Sequence, residues 1–99
     1  MIVGYLDDAT RAIHVGEESK AARRFAVAVR KAARRKLDLI GAAAEVRDLA
    51  VPPGNRLERL HGDLEGFYSI RVNDQYRIIF TFEAGNASHV QFVDYQRKR

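Results

Sequence analysis

The 99-residue chain has no cysteine and no tryptophan. Without cysteine there is no disulfide scaffold, no thiolate zinc site and no cysteine nucleophile. An unstapled chain suits a reducing cytoplasm. No apolar run approaches the ~20 residues of a membrane span, so no membrane partner is expected. Asp7 and Asp8 stand where a signal peptide is basic and then apolar. Repeats and low-complexity segments are also missing. The length fits one domain, 1–99, with one modest core. A hydrophobic content of 46% is sufficient for that core and excludes wholesale disorder.

The net charge of +4 is unevenly spread. Residues 20–36 carry Lys20, Arg23, Arg24, Arg30, Lys31, Arg34, Arg35 and Lys36 and no acid, and the chain closes on Arg97, Lys98 and Arg99. The segments 1–19 and 37–96 are both net acidic. Single-sign blocks raise the local potential and steer anions. Such a block is also what a solvated helix face looks like.

Residues 2–6 read as a short apolar strand. Asp7 or Asp8 can cap a short helix through Ile13 that Gly16 ends. Ser19 can cap a long helix over 20–41. On a 3.6-residue wheel, Ala22, Phe25, Val29, Ala32, Ala33 and Ile40 share its apolar face. Arg23, Arg24, Arg30, Lys31, Arg34 and Arg35 lie opposite, while Lys36 falls on the apolar side and has to snorkel. Pro52-Pro53-Gly54-Asn55 is the strongest breaker. Beyond it, 56–60, 67–72, 76–82 and 88–95 read as strands. Helices followed by an antiparallel meander make an α+β domain.

The loop between the two best strands fixes which side chains share a face. A two-residue turn at 73–74 aims Arg77 into the core. A three-residue loop at 73–75 sets Arg71 opposite Arg77. It gathers Tyr68, Ile70, Val72, Tyr76, Ile78, Phe80 and Phe82 on one face, with Ser69, Arg71, Arg77, Ile79 and Thr81 on the other. A slip of one residue flips every side chain, so the apolar pattern selects the second register. Opposed arginines repel by about 0.2–1 kcal/mol, a cost that a phosphate or a carboxylate removes. Asp74, Asp63 and Glu65 are candidate carboxylates. In the last strand, Val90 and Phe92 should face the core, with Gln91, Val93 and Tyr95 on the other face. His14, His61 and His89 lack metal-ligand spacing, so no metal or cofactor is expected.

Residues 51–95 closely resemble HigB-type toxins of bacterial toxin–antitoxin systems, within the RelE/ParE superfamily. The ordered runs PPGNRLE (52–58), L.GD..G.YSIRVN (60–73), QYRIIF.FE..N (75–86) and VDY (93–95) carry the likeness, and KLDLIGAA (36–43) resembles the end of that family's long helix. The resemblance implies a RelE-like fold with two N-terminal helices packed on a small antiparallel sheet. It implies metal-free cleavage of mRNA in the ribosomal A site and a HigA-like helix-turn-helix antitoxin in the bacterial cytoplasm. Arg71 and Arg77 match the strand cations that hold the scissile phosphate in such toxins. Asp94 and Tyr95 match the family's C-terminal Asp-Tyr-His, whose His is Gln96 here. Glu58 stands where some members have a His, and His61 where a Lys is usual.

Attack of a 2′-OH on the adjacent phosphate needs a base, cations for the developing charge and an acid for the leaving oxygen. Arg71 and Arg77 suit the charge role. Glu58, His61 or Asp94 can serve as the base, and Tyr95 can stack on a nucleobase or donate a proton. Arg23, Arg30, Lys31, Arg34, Arg35, Arg97, Lys98 and Arg99 would supply salt-sensitive affinity for RNA. Two other readings stay open: a ParE-like gyrase inhibitor without enzymatic activity, and a catalytically weak protein that mainly binds antitoxin.

Overall fold

Asp7 starts the first helix. Its Oδ1 accepts the Thr10 N–H at 2.9 Å and the Thr10 hydroxyl at 2.6 Å. The helix, α1 (Asp8–Val15), stops at Gly16, which takes the left-handed conformation (φ 78°). Thr10 is fully buried, yet its Oγ1 also accepts the Phe92 N–H at 2.9 Å, which fastens the helix to the sheet. These details belong to a computed structural model that describes residues 1–95.

Ser19 caps the next helix through the Ala22 N–H, as expected. The single helix over 20–41 does not form. The segment divides into α2 (Lys20–Arg23) and α3 (Val27–Ala42), separated where Ala26 is extended (φ −57°, ψ 149°). The break turns Phe25 onto the sheet, where its ring meets Tyr76 and Phe92 edge-on at 5.7 and 5.1 Å. Arg30 Nε donates to the Phe25 carbonyl at 3.0 Å, satisfying a group that helix continuation would have used. From α3, Ala33, Leu37 and Ile40 are buried, one apolar stripe at helical spacing.

Four strands pair antiparallel in sequence order: β1 (Glu58–Arg59), β2 (Tyr68–Arg71), β3 (Tyr76–Glu83) and β4 (Asn86–Asp94). The strand expected over 56–60 shrinks to two residues. Arg56 ends the 3₁₀ turn Pro53–Asn55 in the left-handed region (φ 47°), which bars it from a ladder. The segment 2–6 lies along β4 as isolated parallel bridges at Ile2 and Tyr5.

The 73–75 loop sets the expected register, with Ile70 opposite Ile78 and Arg71 opposite Arg77. Asn73 Oδ1 holds the loop by accepting the Gln75 and Tyr76 N–H groups at 2.9 and 2.8 Å. Ile70, Ile78, Phe80, Val90 and Phe92 form the core with Leu37 and Ile40. The ladder shifts register between Ile79 and Thr81, where His89 on β4 has φ 53°. That extra residue lets Ala87 and Val90 both face inward, despite their odd spacing. α1, α2 and α3 contribute to the core on one side of the sheet, so the expected α+β architecture, helices on an antiparallel sheet, holds. No helix among the described residues is long and apolar enough to cross a membrane.

Candidate active site

The face of the sheet away from the core carries the opposed arginines. Arg71 is partly exposed and pairs with Asp74 of the following loop. Arg77 is only 7% exposed, an unusual position for a charge. Its Nη2 donates to the Arg56 carbonyl at 2.6 Å and lies 3.4 Å from Glu58 Oε1. Its guanidinium carbon sits 5.2 Å from the centre of the Tyr95 ring, in cation–π contact. Its Nε is buried with no acceptor among the described residues. Leaving such a donor unpaired costs about 1–3 kcal/mol.

Arg56, Glu58, Arg71, Asn73, Asp74, Arg77 and Tyr95 line one polar concavity. Tyr95 is also a wall of a second, apolar hollow formed with Leu64, Phe67, Ile79 and Val93. The site therefore offers three arginines, two carboxylates and an aromatic ring within one recess.

Two expected site residues lie elsewhere. Asp94 is paired with Tyr76, and Arg77 with Val93, so strand alternation sends Asp94 to the helix side. There it lies beside Arg24, Phe25 and Tyr76 and accepts the Gln75 Nε2 at 3.0 Å. His61 is exposed in the loop before β2, 3.8 Å from Glu65, and takes no part in lining the concavity. His14 bonds Tyr5 and Asp38, and His89 bonds Thr81. No histidine among the described residues lines the recess. Nor do three His, Asp or Glu side chains there converge closely enough to hold a metal ion.

Arg23, Lys31, Arg34 and Arg35 are exposed on the helices. Arg30 is half-buried and pairs with Glu18 at 3.3 Å. Arg30, Lys31 and Arg34 share a shallow depression with Glu17 and Glu18, which dilutes the positive field on that flank. Gln96, Arg97, Lys98 and Arg99 lie outside the described residues.

Sequence reasoning missed Arg56 and Asn73 as lining residues, and it missed Asn55, whereas Asp74, one of the carboxylates expected to neutralise the arginines, does pair with Arg71. Fully buried Asn55 donates from Nδ2 to the Leu49 and Val51 carbonyls at 3.1 and 3.4 Å and accepts from Lys36 Nζ at Oδ1. Burial pushes the Lys36 ammonium pKa below the usual lysine range, and the charges of Arg35 and Arg71 push it the same way. The available signal was a lysine on an apolar helix face.

A family profile described as RelE-like toxin of type II toxin-antitoxin system HigB matches residues 7–96. The chain is 46% identical over 71 residues to Toxin HigB-1 of Vibrio cholerae serotype O1, covering 72% of this chain and 75% of that protein. It is 45% identical over 56 residues to an uncharacterized protein of Haemophilus influenzae, covering 57% of this chain and 55% of that one. A solved YoeB/ParE toxin from Agrobacterium tumefaciens aligns with TM-score 0.49 at 15% identity, over 94% of this chain and 99% of that one.

Proposed function

The chain belongs to the HigB-like toxin family of type II toxin–antitoxin systems, and from that membership we propose that it is a metal-free, ribosome-dependent mRNA endoribonuclease of the bacterial cytoplasm. Membership implies an antitoxin partner, here a HigA-like helix-turn-helix protein. The observation that carries the enzymatic reading is the recess in which Arg71, Arg77, Glu58 and Tyr95 converge.

The scissile phosphate binds between Arg71 and Arg77 and displaces Glu58 from Arg77. The freed carboxylate takes the 2′-OH proton as the 2′ oxygen attacks phosphorus. The bond to the 5′ oxygen breaks, leaving a 2′,3′-cyclic phosphate and a 5′-hydroxyl. The two guanidinium groups balance the charge of the phosphorane, a role that suits fixed forks of N–H donors. Tyr95 stacks on the neighbouring base, and its phenol or water returns a proton to the leaving oxygen. His61 and Asp94 have no part in this scheme. Arg23, Lys31, Arg34 and Arg35 contribute sequence-independent attraction to ribosomal RNA.

A single-turnover assay on ribosomes programmed with a short mRNA tests the reading. It should yield fragments with cyclic-phosphate and 5′-hydroxyl ends. Intact mRNA at ribosome saturation would overturn it. One observation favours a second reading: with no histidine in the recess, acid–base chemistry falls to Glu58 and Tyr95. A protein that chiefly binds antitoxin and cleaves slowly fits that composition, and the measured rate separates the two. DNA supercoiling run alongside tests the gyrase alternative.

A further inference from the structure

The turn at Asn55–Arg56 fastens two cations at once. Asn55 holds the Lys36 ammonium through Oδ1, and the next residue, Arg56, holds the Arg77 guanidinium through its carbonyl at 2.6 Å. Asn55 is fully buried and its amide is committed to two backbone carbonyls, so its oxygen is fixed in direction. Lys36 is half-buried and belongs to no ion pair among the described residues. The charged groups that act on it are Arg35 and Arg71, both cationic. A partly desolvated ammonium among guanidinium groups lacks a counter-charge. Arg71 connects this cluster to the recess, since it faces Arg77 across the strand pair.

We propose that Lys36, oriented by Asn55 at the turn whose next residue holds Arg77, binds a second RNA backbone phosphate adjacent to the one held by Arg71 and Arg77. The inference rests on the phosphate-binding reading of that recess. An RNA strand with one phosphate in the recess has a next phosphate to place, and Lys36 is the cation that the Asn55–Arg56 turn fastens along with Arg77. Asn55 is a positioning residue: it touches Lys36, and Lys36 touches the strand.

The test uses the full chain and two 2′-O-methyl RNA probes, a dinucleotide with one phosphate and a trinucleotide with two. Binding is followed by NMR titration at several salt concentrations. The parent should bind the trinucleotide about ten-fold more tightly, the order of one charge-assisted hydrogen bond. Lys36→Gln keeps a donor for Asn55 and removes the charge. It should abolish that gain and flatten the trinucleotide salt slope by about 0.7, the value for one single-strand phosphate. Lys36→Arg should restore most of both. An unchanged melting temperature in Lys36→Gln confirms that the fold is intact.

Arg77→Ala in the dinucleotide arm tests the recess separately. No loss there overturns the underlying phosphate site. A normal loss there, together with an undiminished trinucleotide gain in Lys36→Gln, overturns only the second site and makes Lys36 a prop for Asn55. Equal affinity of the parent for both probes also overturns the second site. Binding of neither probe overturns both.

Discussion

Asp94 and Tyr95 are consecutive in the chain and face opposite sides of the sheet. Asp94 lies with Phe25 and Tyr76 on the helix side, and Tyr95 lies against the guanidinium of Arg77. A sequence motif read as a unit is thus divided by strand alternation. Stacking of a base on an aromatic ring is worth about 1–3 kcal/mol, so Tyr95→Ala should lower kcat/KM about ten- to a hundred-fold. Asp94→Asn should leave the rate nearly unchanged. Losses of equal size in single-turnover cleavage would mean that Asp94 reaches the substrate.

Arg77 carries the largest expected catalytic effect. Removing one transition-state charge stabiliser costs on the order of 10²–10³-fold in rate, and Arg77→Ala should fall in that range. Arg77→Lys should recover little, because an ammonium cannot reproduce a fork held against Arg56 and Glu58. Since Arg77 is buried, both variants need a melting curve beside the kinetics. Full activity in either would remove Arg77 from the mechanism.

The register of β2 and β3 was legible because only one loop length puts Ile70, Ile78 and Phe80 on a common face. That alone brought Arg71 and Arg77 together. The break at Arg24–Ala26 was not legible. Neither proline nor glycine marks it, and its cause is a tertiary contact, the seating of Phe25 on Tyr76 and Phe92. The bulge at His89 was hidden for the same reason: nothing local demands a positive φ from histidine. Within the site, alternation correctly assigned Tyr95 to the arginine face. Treating Asp94 as its companion ignored that same alternation. Asn55 escaped notice because a Pro-Pro-Gly-Asn run reads as a surface turn, whereas this asparagine is buried by its bonds to Leu49 and Val51.

Phe25 sits at the helix break and is only half-buried. Fully buried phenylalanines cost about 3–5 kcal/mol on truncation to alanine. Phe25→Ala should cost less, about 2–3 kcal/mol, from lost area and two edge-on ring contacts. Urea unfolding followed by circular dichroism measures this. A midpoint equal to that of the parent would show that the two rings support one another without Phe25.

The exposed arginines of α3 should act through long-range attraction. Arg34→Glu with Arg35→Glu should weaken ribosome binding and reduce the slope of log affinity against log salt. Glu17 and Glu18 already offset part of this face, so the doubly reversed helix should bind weakly at any ionic strength while its melting temperature stays close to the parent's. Parallel salt dependences in parent and variant would mean that the helix face is only solvated.

Lys36 makes a prediction about alkaline stability. Its folded-state pKa lies below the ordinary lysine value of 10.5, chiefly through burial and then through Arg35 and Arg71. In the window between the folded pKa and 10.5, the unfolded chain binds more protons at this site. Stability contributed by the site therefore rises with pH through that window, because proton release in the folded state removes the penalty of a charged, partly desolvated ammonium. Lys36→Met has no such proton to release. The stability of the parent relative to Lys36→Met should thus increase between pH 7 and pH 10, measured by urea unfolding of both proteins at each pH. Tyr5, whose pKa burial raises, acts in the opposite direction at the alkaline end but is common to both chains and cancels in the difference. A pH-independent difference would mean that Lys36 is as well solvated when folded as when unfolded. It would also take away the uncompensated charge on which its second phosphate depends.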